Sequence, residues 1–265
     1  MLASFPTPVP DIILILQFNH WFTFQFLLES QYSRLSDEFP DKTLYPKFYE
    51  AKKHEIILEK GEMLHIPAGW FHWVFSEKTD EPLNISVNYW YKTNWDFGYL
   101  CSRNFFKFKY DKEIDYMKLL NDIKTPLLGA KSPQRYFPEQ HIRHHFPHIS
   151  CMEKFITFDE FYKSSEDDVY ISSYCDPRLV QYSPSWCNTA NLIQGGGRWW
   201  INKGNVTTGL HYDTNDNWIH QLSGRKRILL FHPSDYDKLY MINHYNQHFI
   251  KEVKDLFDKK KKESK

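Results

Sequence analysis

The sequence predicts a mainly β fold with flanking helices. Aromatic residues make up 18% of the chain, with 9 Trp, 17 Tyr and 21 Phe, and aromatic side chains favour strands. Residues 83–91 alternate regularly, with Leu83, Ile85, Val87 and Tyr89 on one face and polar residues and a tryptophan on the other. A strand with one apolar and one polar face is typical of a sheet whose polar side lines a pocket.

Charge and cysteine content exclude several classes of protein. The 265 residues carry 33 basic and 33 acidic side chains, and the isoelectric point is near 7.2. A general nucleic-acid or membrane-surface binder would show a basic excess, so no strong nucleic-acid signal is present. The four cysteines are scattered without a CxxC pair. This pattern is not that of a disulfide scaffold, and it favours a protein of a reducing compartment, cytoplasmic or nuclear.

The two chain ends carry little functional signal. Residues 12–28 contain no charge, but five polar side chains interrupt the apolar run. It is also shorter than the roughly 20 residues that a membrane span needs, so no membrane span is favoured. Lys259 to Lys262 form the only strong charge run, which is typical of a solvated basic tail.

Strand signals fall in two groups separated by a helical and loop-like segment. Residues 111–123 have apolar side chains at helical spacing, and a second short helix is predicted at 157–163. The strands are predicted at 55–58, 63–66, 70–75 and 83–91 in the first group, and at 168–172, 199–202, 209–213, 217–222 and 227–231 in the second.

The pattern His211-Tyr212-Asp213 is the first candidate metal motif. In a strand, His211 and Asp213 point to the same face. Together with one histidine from another strand they can form a two-histidine, one-carboxylate site, which leaves open positions on Fe(II). So short a pattern arises by chance in a chain with 13 His and 33 acidic residues, and its surroundings decide its meaning.

Those surroundings resemble the cupin-like JmjC oxygenases, most closely the subgroup that contains the asparaginyl hydroxylase called factor inhibiting HIF. Residues 204–213 resemble the family's G-x-x-x-x-x-H-x-D strand. Residues 217–233 resemble the part that follows it, which is a strand, a G-x-K-R turn and a hydrophobic strand. Residues 61–74 resemble the family's G-D-x-L-x-I-P-x-x-W-x-H-x-V segment, and residues 84–91 its V-N-x-W strand. The resemblance implies a double-stranded β-helix, the cupin or jelly-roll fold.

The resemblance also implies a site. It makes His211, Asp213 and His72 the Fe(II) ligands, and Lys226 the anchor for the far carboxylate of the cosubstrate 2-oxoglutarate. Alternation alone does not decide whether Lys226 or Arg227 points inwards. The resemblance also places a threonine beside the same carboxylate, and because of one extra residue in this segment either Thr208 or Thr207 could take that position. Two other histidines, His65 and His220, are expected to be structural. The remaining residues implied near the cosubstrate or metal are Tyr170, Thr208, Asn217 and Asn88.

The order of the two halves departs from the family. There the H-x-D strand comes first, whereas here His72 precedes His211 by 139 positions. The predicted organisation is an N-terminal extension (1–38), the C-terminal half of a cupin-like domain (39–100), a linker (101–150), the N-terminal half (151–250) and a basic tail (251–265). The domain is therefore circularly permuted or built from two half-domains. A homodimer with swapped halves is equally compatible with the sequence.

The sequence thus predicts an Fe(II)- and 2-oxoglutarate-dependent oxygenase that hydroxylates a side chain of a protein or peptide substrate. The alternative is a non-catalytic cupin-like remnant or binding module whose metal site does not assemble. A weaker one is a cupin hydrolase or isomerase that uses another divalent metal. The distance between His72 and the pair His211 and Asp213 separates the first two hypotheses, because shared ligands must meet.

Overall fold

The computed structural model describes residues 29–33, 35, 37–93, 102–110, 112–131, 153–165, 169–171 and 175–243. These residues form fifteen strands and two α-helices, with several short 3-10 helices. The strands are β1 (Glu29–Ser33), β2 (Lys53–Leu58), β3 (Glu62–Ile66), β4 (Phe71–Glu77), β5 (Asn84–Tyr91), β6 (Phe106–Lys109), β7 (Leu127–Lys131), β8 (Glu153–Ile156), β9 (Val169–Ile171), β10 (Cys175–Asp176), β11 (Gly197–Asn202), β12 (Val206–Tyr212), β13 (Asp216–Ser223), β14 (Arg225–Phe231) and β15 (Met241–Asn243). The helices are α1 (Tyr116–Asn121) and α2 (Phe158–Lys163).

The strands form two antiparallel sheets in which the two predicted halves interleave. The smaller sheet has the order β15-β1-β12-β4-β14-β2. The larger has the order β6-β3-β13-β5-β11-β9-β7-β8, and β10 pairs with β11. The first-half strand β4 lies between β12 and β14, and β5 lies between β13 and β11. Strands from the two predicted halves therefore pair with each other in both sheets, and the predicted cupin or jelly-roll fold class is confirmed.

Alternation sorts the side chains into an interior and two outer layers. Outward-facing Ile85, Val87 and Tyr89 of β5 belong to a core that also contains residues of both helices. The smaller sheet packs its outer face, including Phe71 and Phe231, against residues from its flanking loops. Between the sheets lies an apolar cluster to which Val74, Ile219 and Ile228 belong. The other inward positions are mostly polar, so the interior between the sheets, here called the pocket, is lined partly by hydrogen-bonding groups.

The segment predicted as a linker contributes strands as well as a helix. Phe106 and Phe108 alternate along β6, which pairs with β3, and β7 pairs with β8 and β9. The helix α1 is shorter than the predicted 111–123, because the Asp115 side chain accepts from Lys118 N and begins the helix at Tyr116. Thr157 and Glu160 form a capping box at the start of α2.

The N-terminal extension is described only from residue 29. There β1 pairs with β12 and β15 at the edge of the smaller sheet. The uncharged run 12–28 and the basic tail 251–265 lie outside the described residues. Within the described part of the chain, no helix has the length and apolar character needed to cross a membrane.

Candidate metal and cosubstrate site

Strands β4 and β12 place two histidines side by side. His72 and His211 are Cα partners, and their ring centroids lie 4.1 Å apart. The pairing changes register between Thr208, which is opposite Val74, and His211, which is opposite His72. This β-bulge absorbs one extra residue in β12, so both Thr208 and His211 face the interior. Thr207, the sequence-level competitor, is opposite Phe75 on the outer face.

Asp213 lies one residue beyond β12 and completes a group of three donors. Its Oδ2 lies 3.7 Å from His72 Nε2, and one ligand atom from each of His72, His211 and Asp213 lies within 4.8 Å of the other two. Two donors hold the carboxylate, because Trp90 Nε1 and Asn217 Nδ2 each donate to Oδ2 at 2.9 Å. Such outer contacts orient a metal ligand before the metal binds.

Both imidazoles are oriented by backbone carbonyls. His72 Nδ1 lies 3.0 Å from Trp70 O, and His211 Nδ1 lies 2.7 Å from Gly209 O. Because a carbonyl only accepts, each Nδ1 carries the proton, and each Nε2 keeps its lone pair for a metal. Burial lowers the pKa of His211 to about 4, so this ring is neutral near pH 7. Two imidazoles and one carboxylate are a donor set that suits Fe(II).

Lys226 lies inside the pocket. It is only 2% exposed, it is the Cα partner of Ser76 and Leu58, and burial lowers the pKa of its ammonium to about 7. No carboxylate among the described residues pairs with it. Arg227 points outwards, where it donates to both carboxylate oxygens of Glu38 at 2.8 and 2.9 Å. Of the two candidates, only Lys226 can therefore meet a carboxylate bound between the sheets.

The other residues implied by the resemblance lie along the same interior. Asn88 Nδ2 donates to Asn217 Oδ1 at 3.0 Å, which extends the hydrogen-bonded chain from Asp213. Tyr170 is 2% exposed on β9, and its ring centroid lies 5.4 Å from that of Trp200. Thr208 is buried on β12. Several interior polar atoms have no hydrogen-bond partner within the described structure: Ser86 Oγ, Arg198 Nε, Trp200 Nε1 and Gln221 Oε1.

Sequence reasoning missed Trp90, Arg198 and Trp200 as site residues. The available signal was strand alternation, because Trp90 follows Asn88 by two positions and so faces the same side, and Arg198 is the Cα partner of Asn88.

The two histidines expected to be structural lie outside the pocket. His65 packs against Trp218 with centroids 4.3 Å apart, and His220 packs against Tyr110 at 5.0 Å. Burial lowers the pKa of each to about 4.

Two interleaved antiparallel sheets that bring a His-His-Asp group together define a cupin-type β fold with a candidate metal centre. The chain belongs to the cupin-like domain family, a JmjC-type group whose model matches residues 24–97 and 96–263. The match falls in two parts, in agreement with the two segments that build the interleaved sheets.

Three relatives illustrate the similarity. A JmjC domain-containing protein, L887, of Acanthamoeba polyphaga mimivirus is 25% identical, with 74% of this chain and 36% of that protein covered. HSPB1-associated protein 1 of Homo sapiens is 31% identical over 61 residues, which is 23% of this chain and 12% of that protein. The tRNA wybutosine-synthesizing protein 5 of Gallus gallus is 48% identical over 46 residues, covering 17% and 14%. The chain thus spans about a third or less of these relatives. No solved structure matches it.

Proposed function

We propose that this protein is an Fe(II)- and 2-oxoglutarate-dependent oxygenase that hydroxylates a side chain of a protein or peptide. The observation that supports this most directly is the convergence of His72, His211 and Asp213. Their ligand atoms lie within 4.8 Å of one another although His72 and His211 are 139 positions apart in the chain. The non-catalytic alternative requires donors that do not meet, and this geometry favours the enzyme.

In this proposal, His72, His211 and Asp213 would hold Fe(II) through two imidazole nitrogens and one carboxylate oxygen. When bound, Fe(II) and 2-oxoglutarate would supply the chemistry: O₂ would oxidise 2-oxoglutarate to succinate and CO₂, with one oxygen atom of O₂ ending in succinate and the other in a C–OH group formed from a substrate C–H bond. The chain's own contribution is positioning. Trp90 and Asn217 hold the Asp213 carboxylate, and the carbonyls of Trp70 and Gly209 keep both imidazole rings in the ligating tautomer.

Lys226 is proposed to bind the far carboxylate of 2-oxoglutarate. A buried ammonium that no described carboxylate neutralises is costly, and a bound carboxylate would remove that cost. Tyr170 and Thr208 are proposed to assist at the same carboxylate. Asn217 and Asn88 are proposed to lie beside the metal-binding end of the cosubstrate, because Asn217 already contacts Asp213.

The substrate class rests on the family resemblance and on charge. The names of two relatives refer to association with HSPB1 and to tRNA wybutosine synthesis, and each similarity covers less than a quarter of this chain. The zero net charge favours a protein or peptide over RNA here. Cys175 and Cys187 are free thiols, which suits the proposed cytoplasmic or nuclear location.

Anaerobic titration of the full chain with Fe(II) and 2-oxoglutarate tests the proposal. A metal-to-ligand charge-transfer band should develop with one equivalent of each and should be lost in His72→Ala. The matched control is His220→Gln, which alters a buried histidine outside the pocket and should keep the band. The absence of a band in the wild-type protein, or an unchanged band in His72→Ala, would overturn the proposal and favour the binding-module alternative.

A further inference from the structure

Arg198 shares the pocket interior with the candidate metal site. It lies on β11 as the Cα partner of Asn88, and direct partners in a sheet project to the same face. Asn88 donates to Asn217, and Asn217 donates to Asp213 Oδ2. A hydrogen-bonded chain of two amides therefore leads from the strand position opposite Arg198 to a metal ligand.

Two indole rings hold the Arg198 guanidinium. Its carbon lies 5.8 Å from the Trp90 ring centroid and 5.9 Å from that of Trp200. The two indoles contact each other edge to face, with centroids 6.2 Å apart, and Trp90 also donates to Asp213 Oδ2. Contact with aromatic faces orients a guanidinium while its N–H groups stay available for a planar acceptor.

The described chain supplies no anion for this group. Arg198 Nε is buried without a hydrogen-bond partner, and no described carboxylate forms an ion pair with Arg198. The other four arginines in the described ranges each pair with a carboxylate: Arg103 with Asp216, Arg178 with Asp176, Arg225 with Glu77 and Arg227 with Glu38. A guanidinium that no carboxylate of the described chain neutralises can form charge-assisted hydrogen bonds to a ligand carboxylate.

Arg198 and Lys226 mark two separate anion positions. Lys226 is the Cα partner of Ser76, whose hydroxyl accepts from Asn202 Nδ2 at 3.1 Å. Asn202 is four residues from Arg198 on the same strand, a separation of about 13 Å along β11. One anion at the Lys226 end therefore leaves Arg198 available for another.

We propose that Arg198 binds the carboxylate of an Asp or Glu side chain in the peptide substrate and so selects acidic sequences near the oxidised residue. This inference rests on the proposed function, since it assigns the substrate class of the same pocket. Arg198 acts as a specificity-determining residue and takes no part in holding the metal.

The test is selection of random-sequence peptides by the full chain loaded with Mn(II) and N-oxalylglycine, which replace Fe(II) and 2-oxoglutarate without turnover. Wild-type protein should enrich peptides with Asp or Glu, and Arg198→Gln should lose the enrichment and bind the selected peptides about 30-fold more weakly. Arg198→Glu should enrich Lys and Arg instead. Arg225→Gln removes a partly exposed arginine that pairs with Glu77, and it should behave as wild type.

Three results separate the inference from the proposed function. An acidic preference that is absent from wild type or unchanged in Arg198→Gln overturns the role of Arg198. The same holds if calorimetry shows that Arg198→Gln weakens 2-oxoglutarate binding and leaves peptide preference unchanged, because Arg198 then contacts the cosubstrate. If the wild-type protein does not bind Mn(II) and 2-oxoglutarate, the proposed oxygenase function is wrong. A preference of that protein for acidic peptides that depends on Arg198 would still support the peptide-binding role of Arg198.

Discussion

His72 and His211 are directly opposite each other on β4 and β12, and their ring centroids lie 4.1 Å apart. The β-bulge between Thr208 and His211 makes this possible, because it adds one residue to β12 without turning His211 to the outer face. The geometry of the candidate metal site therefore depends on strand register, and strand register depends on the two halves of the chain pairing correctly.

Trp90→Phe should weaken metal binding while leaving the fold intact. The change removes the Nε1 donor that lies 2.9 Å from Asp213 Oδ2 and keeps an aromatic ring in its place. Loss of an outer-shell hydrogen bond lowers metal affinity about tenfold or more. Competition binding of Mn(II), followed by electron paramagnetic resonance, measures the effect. Trp200→Phe is the control, since Trp200 contacts Trp90 without bonding to Asp213, and equal affinities in the two variants would contradict the role of Trp90.

Lys226→Met should abolish 2-oxoglutarate binding and stabilise the cosubstrate-free protein. Methionine has a similar length without the buried ammonium, so the free energy of unfolding at pH 7 should rise by about 1–4 kcal/mol. The folded-state pKa of Lys226, about 7, lies below its ordinary value of 10.5. The unfolded chain thus holds more protons between these values, and wild-type stability rises with pH across this window.

The stability difference between Lys226→Met and wild type should accordingly be largest near pH 7 and should shrink towards pH 10. Urea unfolding at several pH values, with calorimetric titration of 2-oxoglutarate, checks both parts. Lys60→Met replaces an exposed lysine and should change neither. A Lys226→Met variant that is less stable than wild type, or that still binds 2-oxoglutarate, would rule out this account of Lys226.

Binding of 2-oxoglutarate should take up a proton above pH 7. Because burial lowers the pKa of Lys226 to about 7, much of the ammonium is deprotonated at pH 8.5, and the incoming carboxylate favours the protonated form. Affinity should be nearly independent of pH below 7 and should fall about tenfold per unit above it. Calorimetry at pH 8.5 in two buffers of different ionisation enthalpy measures the uptake. Identical heats in both buffers would show that Lys226 stays charged throughout.

Cross-linking should distinguish closure within one chain from a swapped dimer. Phe75 and Thr207 are Cα partners on the outer face of β4 and β12, one from each half. Phe75→Cys with Thr207→Cys, in a background without the native cysteines, should react with a short bismaleimide to give a compact monomer. Electrophoresis under denaturing conditions reads the outcome, and each single variant serves as a control. A covalent dimer from the double variant would establish swapping.

Local sequence patterns predicted much of the strand framework. The alternation of Leu83 to Tyr91 placed apolar residues outwards and Asn88 inwards, as the structure has them, because the side-chain period of a strand is two. Local patterns predicted the segment 101–150 less well. The short strands β6 and β7 were not predicted, and the predicted helix began before the Asp115 N-cap that starts the observed one. Short strands take their stability from neighbouring strands, which a local pattern does not contain.

The sequence motifs identified the candidate metal ligands. They also showed that the two halves of the domain occur in the opposite order from that in the family. They could not decide whether Lys226 or Arg227 faces inwards, which of Thr207 and Thr208 does so, or whether His72 meets His211. Tertiary structure decided these points, because they depend on cross-strand register and on one bulge between segments 139 positions apart. Side-chain chemistry is a local property of the chain, whereas the distance between two side chains is set by the pairing of distant strands.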